Sequence, residues 1–330
     1  MHKQAEPGNW QPVATLDMLR QRAQLLSDIR QFFAKLQIME VETPILAHCA
    51  STEVHLDSFS TSLSRSSGQS LYLQTSPEYH MKRLLASGSG PIYQISHAFR
   101  REESGHLHNP EFTMLEWYRP DFDYHQLMDE MQIFLQYVGL PSAGFDQIRR
   151  ISYADLFLQY VELNPHTSDI SHIRRCAAAL GIPIENADKL TDCDSWLDLI
   201  LSHVIEPQLG QKEITFVYDY PATQASLARI RPGNPAIAER FEVYVRGIEL
   251  ANGFHELDDV AEQKKRLMQD QQRRRELRLD AYGLDQSFLA ALAAGLPPCA
   301  GVALGVDRLL MLLNSVQTID EVMAFPLARA

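Results

Sequence analysis

Cysteine is scarce in this 330-residue chain, and the four present, Cys49, Cys176, Cys193 and Cys299, never form a C-x-x-C pair. That spacing argues against a zinc site or a disulfide framework and leaves reduced structural thiols. No apolar run reaches the roughly 20 residues needed to cross a bilayer. The opening MHKQAEPGNWQPVA lacks the apolar centre of a secretory signal. No repeat, linker or low-complexity tract interrupts the chain. Positive charge is in deficit, with 30 Lys and Arg against 42 Asp and Glu, a formal charge of −12. Such a chain is a poor general binder of phosphate backbones, although a local basic patch remains open to it. These absences imply a soluble, cytoplasmic protein with no membrane partner, and 45% apolar residues supply a full core.

Periodicity then places the elements. Leu19, Ala23, Leu26, Ile29, Phe33 and Leu36 recur at three- and four-residue steps and predict a helix of about five turns. An extended stretch, 41–46, contains Pro44, which suits a strand edge or an interface. A polar loop at 60–70 and a strand at 71–75 follow. Ser76-Pro77-Glu78 reads as a helix start, with the helix running to about Ser87. Strands at 92–99 and 112–118 flank a polar loop. Helices are expected at 124–138, 153–161, 169–180, 194–205 and, strongly basic, 259–281. Strands are expected at 214–220 and 241–250, and a Gly-rich stretch at 301–306 leads into a last helix, 307–313. Hairpins separated by groups of helices imply an α+β fold with a mainly antiparallel sheet.

Three segments carry chemistry. The first is Phe99-Arg100-Arg101-Glu102-Glu103, followed by HNPEFTMLE at 108–116; the second runs from Gly247 to Glu256; the third is Gly305-Val306-Asp307-Arg308. Each alone has an ordinary reading as surface charge, strand core or helix cap. Together they offer two arginines to clamp a polyphosphate, two carboxylates for Mg²⁺ and an aromatic ring beside a base-sized slot.

In these segments the chain resembles the class II aminoacyl-tRNA synthetases, the lysyl branch most closely. Motif 1 is the first helix and the strand ending at Pro44, motif 2 spans Phe99–Tyr118, and motif 3 spans Gly301–Leu312. The resemblance implies a six- or seven-stranded, mainly antiparallel sheet flanked by helices. It also implies residues 1–15 as a flexible lead, 16–330 as one catalytic domain with a helical insertion at 139–213, and a homodimer packed through Pro44 and the first helix. The implied reaction is attack of a carboxylate on the α-phosphorus of ATP, with Mg²⁺. By position, Arg100 would bridge carboxylate and α-phosphate, and Arg308 and His108 would meet the γ-phosphate. Glu102 and Asn109 would contact adenine and Phe112 would stack on it, while Leu250 and Gly305 complete the nucleotide site. Glu249 and Glu256 match the metal-binding acids. On one uninterrupted strand those two would face opposite sides, so a turn or bulge is required, and Asn252-Gly253 offers one. Glu78 would receive the near amine of the substrate, and Glu256 with Tyr118 the distal amine.

Two features depart from the lysyl enzymes. Motif 1 begins almost at once, leaving no room for an anticodon-binding domain. Ser76 stands where those enzymes have Ala, and Ala303 where motif 3 has its middle Gly. Both departures resemble the elongation factor P lysine ligases, which attach lysine, preferably (R)-β-lysine, to a lysine side chain of that translation factor. Ser76 would offer a hydroxyl to a displaced amine and Ala303 would reshape the floor, although Ser76 serves equally well as a helix cap. A minimal tRNA-charging enzyme, a non-catalytic paralogue and an ammonia-dependent asparagine synthetase relative are the alternatives. The acidic charge disfavours tRNA, the intact arginines and glutamates disfavour loss of catalysis, and Glu78 with Glu256 disfavours the amide synthetase. The basic stretch 262–278 is either a solvated helix face or a docking surface.

Overall fold

The computed structural model describes residues 10–63, 68, 70–182 and 190–330. Most of the expected flexible lead, residues 1–9, and much of the 60–70 loop therefore lie outside the described residues. Helix α1 (Leu16–Lys35) leads into β1 (Met39–Glu40). Strands β2 (Leu46–Ala47), β3 (Ser60–Ser62) and β4 (Ser70–Leu73) form a small sheet in the order β2-β4-β3. Helix α2 (Glu78–Ala86) precedes the hairpin of β5 (Ile92–Phe99) and β6 (Glu111–Pro120). Next come α3 (Tyr124–Tyr137), β7 (Gln147–Ser152), α4 (Tyr153–Val161), α5 (Ile170–Ala179) and α6 (Cys193–Ile200). The second half holds β8 (Glu213–Pro221), β9 (Ile230–Arg231), β10 (Ile237–Val245), β11 (Ile248–His255), α7 (Val260–Glu276), α8 (Gln286–Gly295), β12 (Cys299–Gly305) and α9 (Val306–Asn314).

Among the described residues the main sheet has nine strands in the order β1-β5-β6-β12-β11-β10-β8-β7, with β9 paired to β10. It exceeds the expected six or seven because short edge strands join it, and because residues 147–152, read as part of a helical stretch, pair with β8. The β1–β5 and β7–β8 pairs are parallel and the remaining pairs are antiparallel. The strand expected at 241–250 is two strands. Arg246 and Gly247 both take positive φ, 53° and 71°, and turn the chain between β10 and β11. Asn252-Gly253, the expected turn, instead sits inside β11, paired with Glu242 and Phe241.

One face of the sheet packs on α1, α3 and α9. Phe33, Trp117 and Phe134 are fully buried there, each contributing about 1.5–3 kcal/mol by leaving water. Helix α1 starts at Thr15, whose hydroxyl accepts from the Met18 amide. Its buried stripe is Met18, Leu25, Ile29, Phe32 and Phe33. That face is rotated from the sequence reading, and Ala23 and Leu36 are exposed. Helices α4 to α6 form a second core against β8 and β10. Helices α2, α7 and α8 pack together over Ile92, Tyr118 and Cys299 on the other side of the sheet. Between these layers lies a cleft of about 420 Å³.

Candidate active site

Strand alternation builds the cleft floor. Phe112, Met114, Glu116 and Tyr118 of β6 line it, while the intervening Leu115 and Trp117 enter the core. Register sets Gly301, Ala303 and Gly305 of β12 beside Tyr118, Glu116 and Met114. Across β12, Asn252 and Phe254 of β11 stand opposite Ala303 and Gly301. The middle strand thus offers small residues wherever its neighbours offer large ones. Gly301 cannot be enlarged: a Cβ there would fall onto the Tyr118 ring and lie 2.5 Å from Glu256 Oε1. At Gly305 the nearest protein atom to such a Cβ is 3.7 Å away, on Arg308, so protein packing alone does not demand glycine.

The bulge that the sequence required is present, two residues earlier than the expected turn. Val243 pairs with Ala251 and Tyr244 with Glu249, which leaves Leu250 as the extra residue. This shift of phase puts Glu249 on the cleft face with Asn252, Phe254 and Glu256, all of which line the cavity. It does not bring Glu249 to Glu256, because the two lie at opposite ends of β11, roughly 20 Å apart at 3.3 Å per residue. They therefore occupy different ends of the cleft and cannot share one ion. The carboxylate beside Glu249 is Glu242 of β10, which faces the same way two residues before Tyr244. Enclosure and then the Glu242 charge push the Glu249 pKa up, with Arg308 and Arg240 opposing. Glu242 is held by the Tyr220 hydroxyl at 2.6 Å, the Tyr244 hydroxyl at 2.5 Å and the Arg240 guanidinium. Sequence reading missed Glu242. Its only signal was the seven-residue step to Glu249 within FEVYVRGIE, the same step that separates Glu249 from Glu256.

The arginine end gathers Arg100 and Arg308. Arg308, in the first turn of α9, donates to the Glu249 carbonyl at 2.7 Å and to His108 Nε2 at 2.6 Å. Burial and then the Arg308 charge lower the His108 pKa, so the imidazole is neutral and accepts. Arg100 lies over the Phe112 ring, 5.1 Å from its centroid, and its buried Nε has no partner among the described residues, a donor left for a ligand anion. Two expected adenine contacts are placed differently. Glu102 is exposed at φ 69° outside the cleft, and Glu103 lines the cavity in its stead, 3.5 Å from Arg100. Asn109 lines the cavity but spends its amide within the fold, donating to the Glu111 carbonyl and accepting from the Leu327 amide. Asp307 of motif 3 is structural: it accepts from Arg22 and from the Thr113 amide, both at 2.6 Å.

The opposite end is acidic and buried. Glu116 and Glu256 are each 2% exposed and Lys82 is 1% exposed. Lys82 Nζ sits 2.5 Å from Glu78 and 2.5 Å from Glu256. The Ser76 hydroxyl accepts from the Glu78 amide at 3.0 Å and donates to Glu116 at 2.6 Å, while the N-cap position of α2 belongs to Pro77 and not to Ser76 as expected. Tyr118 donates to Glu116 at 3.1 Å, so its partner is this glutamate although it also adjoins Glu256 across Gly301. Burial, and then the charge of Glu78, push the Glu116 pKa up to about 8. Burial likewise raises Glu256, with Lys82 opposing. Neither Glu116 nor Lys82 was singled out from sequence, because a Glu in an apolar strand and a Lys in a helix carry no spacing signal. Three carboxyl groups against one lysine leave two negative charges for a ligand to match once Glu116 has released its proton.

The basic helix α7 is less free than its sequence suggests. Arg274 is fully buried, donating to the carbonyls of Glu53, Val54 and Leu56 and pairing with Asp57. Arg266 donates to the carbonyls of Ser226 and Ala228, and Arg273 pairs with Asp192. Lys264, Lys265, Arg275 and Arg278 are the exposed cations of the set. Among the described residues no helix is long and apolar enough to cross a membrane.

A cleft with arginines at one end, a carboxylate cluster at the other and an antiparallel sheet as its floor defines a class. The chain belongs to the class II tRNA synthetases (D, K and N), a family it matches over residues 13–329. Such enzymes are ligases that use ATP. Within that class it is 50% identical to the elongation factor P–(R)-beta-lysine ligase of Vibrio cholerae, over 98% of this chain and 99% of that one. Proteins of the same name from Vibrio atlanticus and Photobacterium profundum are each 49% identical, over 97% and 96% of this chain and 99% and 98% of their own lengths.

Proposed function

We propose that this protein activates lysine, preferably (R)-β-lysine, with ATP and transfers it to a lysine side chain of elongation factor P. The observation that carries the reading is the polarised cleft: three carboxyl groups held around one lysine at one end, and Arg100 with Arg308 at the other. A diamino acid bound with its two ammonium groups on Glu78, Glu116 and Glu256 directs its carboxylate along the floor toward the arginines. The names of the relatives support the same substrate and acceptor.

In the first step a carboxylate oxygen forms a bond to the α-phosphorus, the bond from that phosphorus to the β-phosphate bridging oxygen breaks, and pyrophosphate leaves. Two anions must meet, so Arg100 offsets the charge building on the α-phosphate and Arg308, steadied by His108, holds the terminal phosphate. In the second step the acceptor amine attacks the activated carbonyl, AMP leaves, and the amine loses a proton. Glu242 and Glu249 would hold Mg²⁺. Two adjacent carboxylates fit an ion that takes its remaining ligands from phosphate and water, and the ion would supply charge neutralisation there. Among the described residues no cluster of three or more acids, histidines or cysteines stands ready for a metal, consistent with an ion that arrives with ATP.

The reading places the enzyme in the cytoplasm with its ATP and translation-factor substrates. It also includes a homodimer, supported by the apolar surface that Leu16, Leu36, Met39, Ile45 and Leu46 leave exposed around motif 1. The test supplies ATP, Mg²⁺ and labelled lysine or (R)-β-lysine together with purified elongation factor P or total tRNA. Base-stable label in the protein is the expected result, and label recovered in a base-labile RNA ester would replace this function with tRNA charging.

A further inference from the structure

Lys82 belongs to neither the nucleotide machinery nor the cavity lining, yet it is the buried cation of the acidic end. It rises from α2 one turn after Glu78 and reaches Glu256 on β11, with Nζ 2.5 Å from each carboxylate. Those two acids sit on different elements, separated in sequence by most of the chain. The proposed function gives them opposite ends of the same ligand. A buried ammonium can be kept only where partners offset its desolvation, and here both partners are groups that must also face a substrate. Burial opposes the charged form of Lys82, and Glu256 and Glu78 outweigh it, so the side chain stays an ammonium. Tyr79, Tyr118 and Cys299 are the other titratable groups around this cluster, and burial keeps each of them neutral.

We propose that Lys82 is a positioning residue for substrate specificity: a built-in cation that locks Glu78 to Glu256 and cancels one of the three pocket charges, so that the vacancy fits a ligand with two ammonium groups. The proposal rests on the diamino acid reading of the cleft. Without Lys82 the pocket would hold three unmatched carboxylates, and the two that it joins would repel each other and drift from the ligand. Arg100, Arg308, Glu242 and Glu249 make none of these contacts, so ATP binding lies outside its reach.

The test is ATP–pyrophosphate exchange by the full chain, with KM measured separately for the amino acid and for ATP. Lys82→Met, close in length and uncharged, is expected to raise the amino acid KM at least tenfold and to leave the ATP KM within twofold. Lys82→Ala removes the atoms that n-propylammonium would restore, and adding that ion is expected to recover most of the lost affinity while n-propanol does not. An amino acid KM that stays within twofold in Lys82→Met overturns the proposal, as does a parallel rise in both KM values or equal rescue by the alcohol. Should both single variants fail to fold, Glu256→Gln is compared with the charge-balanced Lys82→Met/Glu256→Gln. A fall of at least threefold in amino acid KM from Glu256→Gln to the double variant supports the charge match, and a KM that does not fall overturns it. A parent enzyme with no lysine- or β-lysine-dependent exchange sinks the functional reading and this proposal together, whereas an active parent beside an unaffected variant sinks this one alone.

Discussion

Glu116 makes binding of the amino acid a proton-release reaction. With its pKa at about 8 in the empty pocket, only about one molecule in ten is ionised there at pH 7. An ammonium ligand needs the carboxylate, so binding lowers the pKa and expels the proton. The sign follows: affinity is weakest in acid, rises with pH toward 8 and levels off above it. Removing the proton costs about 1.4 kcal/mol at pH 7 and about 2.7 kcal/mol at pH 6, which is close to tenfold in Kd per pH unit. Glu256, raised by burial, steepens the acid limb further. Above about pH 10 the ligand loses its own charge and affinity falls again. Calorimetry of lysine or β-lysine binding in two buffers of different ionisation enthalpy counts the protons directly, with about one released at pH 7. Glu116→Gln is expected to bind weakly and to lose most of the pH dependence between 6 and 8. A parent protein whose Kd is flat across that range, with no buffer-dependent heat, would refute the charge assignment of the pocket.

Glu242→Gln and Glu249→Gln are each expected to raise the Mg²⁺ concentration for half-maximal exchange about tenfold or more while changing lysine KM little. Glu256→Gln is expected to do the reverse, and a shift in its Mg²⁺ requirement would restore the metal pairing read from sequence. Gly301→Ala drives a methyl group onto Tyr118 and Glu256, an overpacking of about 1–3 kcal/mol. It is expected to lower the melting temperature and raise lysine KM, whereas Gly305→Ala keeps the melting temperature of the parent in the same thermal scan.

Much of the site was legible because its signals are local. The elements around Arg100 and Arg308 follow from period-two and period-3.6 patterns that each lie within a dozen residues, so the strand before one arginine and the helix start before the other could be placed without a fold. What failed was long-range or register-dependent. The 241–250 stretch reads as one apolar run because Arg246-Gly247 is a weaker turn signal than Asn252-Gly253, yet the positive φ falls at the former. Sequence carries turn propensity at each site, and the pairing of β10 with β8 and β11 chooses between them. Exposure of Glu102 and burial of Arg274 likewise depend on how a loop and a helix are covered by segments far away in the chain.

The same distinction explains why the two carboxylate functions separated. A repeating seven-residue step, Glu242 to Glu249 to Glu256, offers two pairings of equal spacing. Had β10 and β11 been one strand, every pairing over an odd step would have crossed the sheet. The turn at Arg246-Gly247 folds the first step back on itself, so Glu242 and Glu249 become near neighbours on adjacent strands. The second step runs along β11, and Leu250 adds the one residue that keeps Glu256 on the same face. One turn and one bulge therefore convert identical spacings into a close pair suited to an ion at the arginine end and a remote acid left to Lys82 and the amino acid. Because Leu250 is the extra residue, deleting it leaves a regular ladder with an even step between the two glutamates, so both are expected to keep the cleft face, whereas removing any other single residue between them, with the bulge kept, would turn one of them into the core.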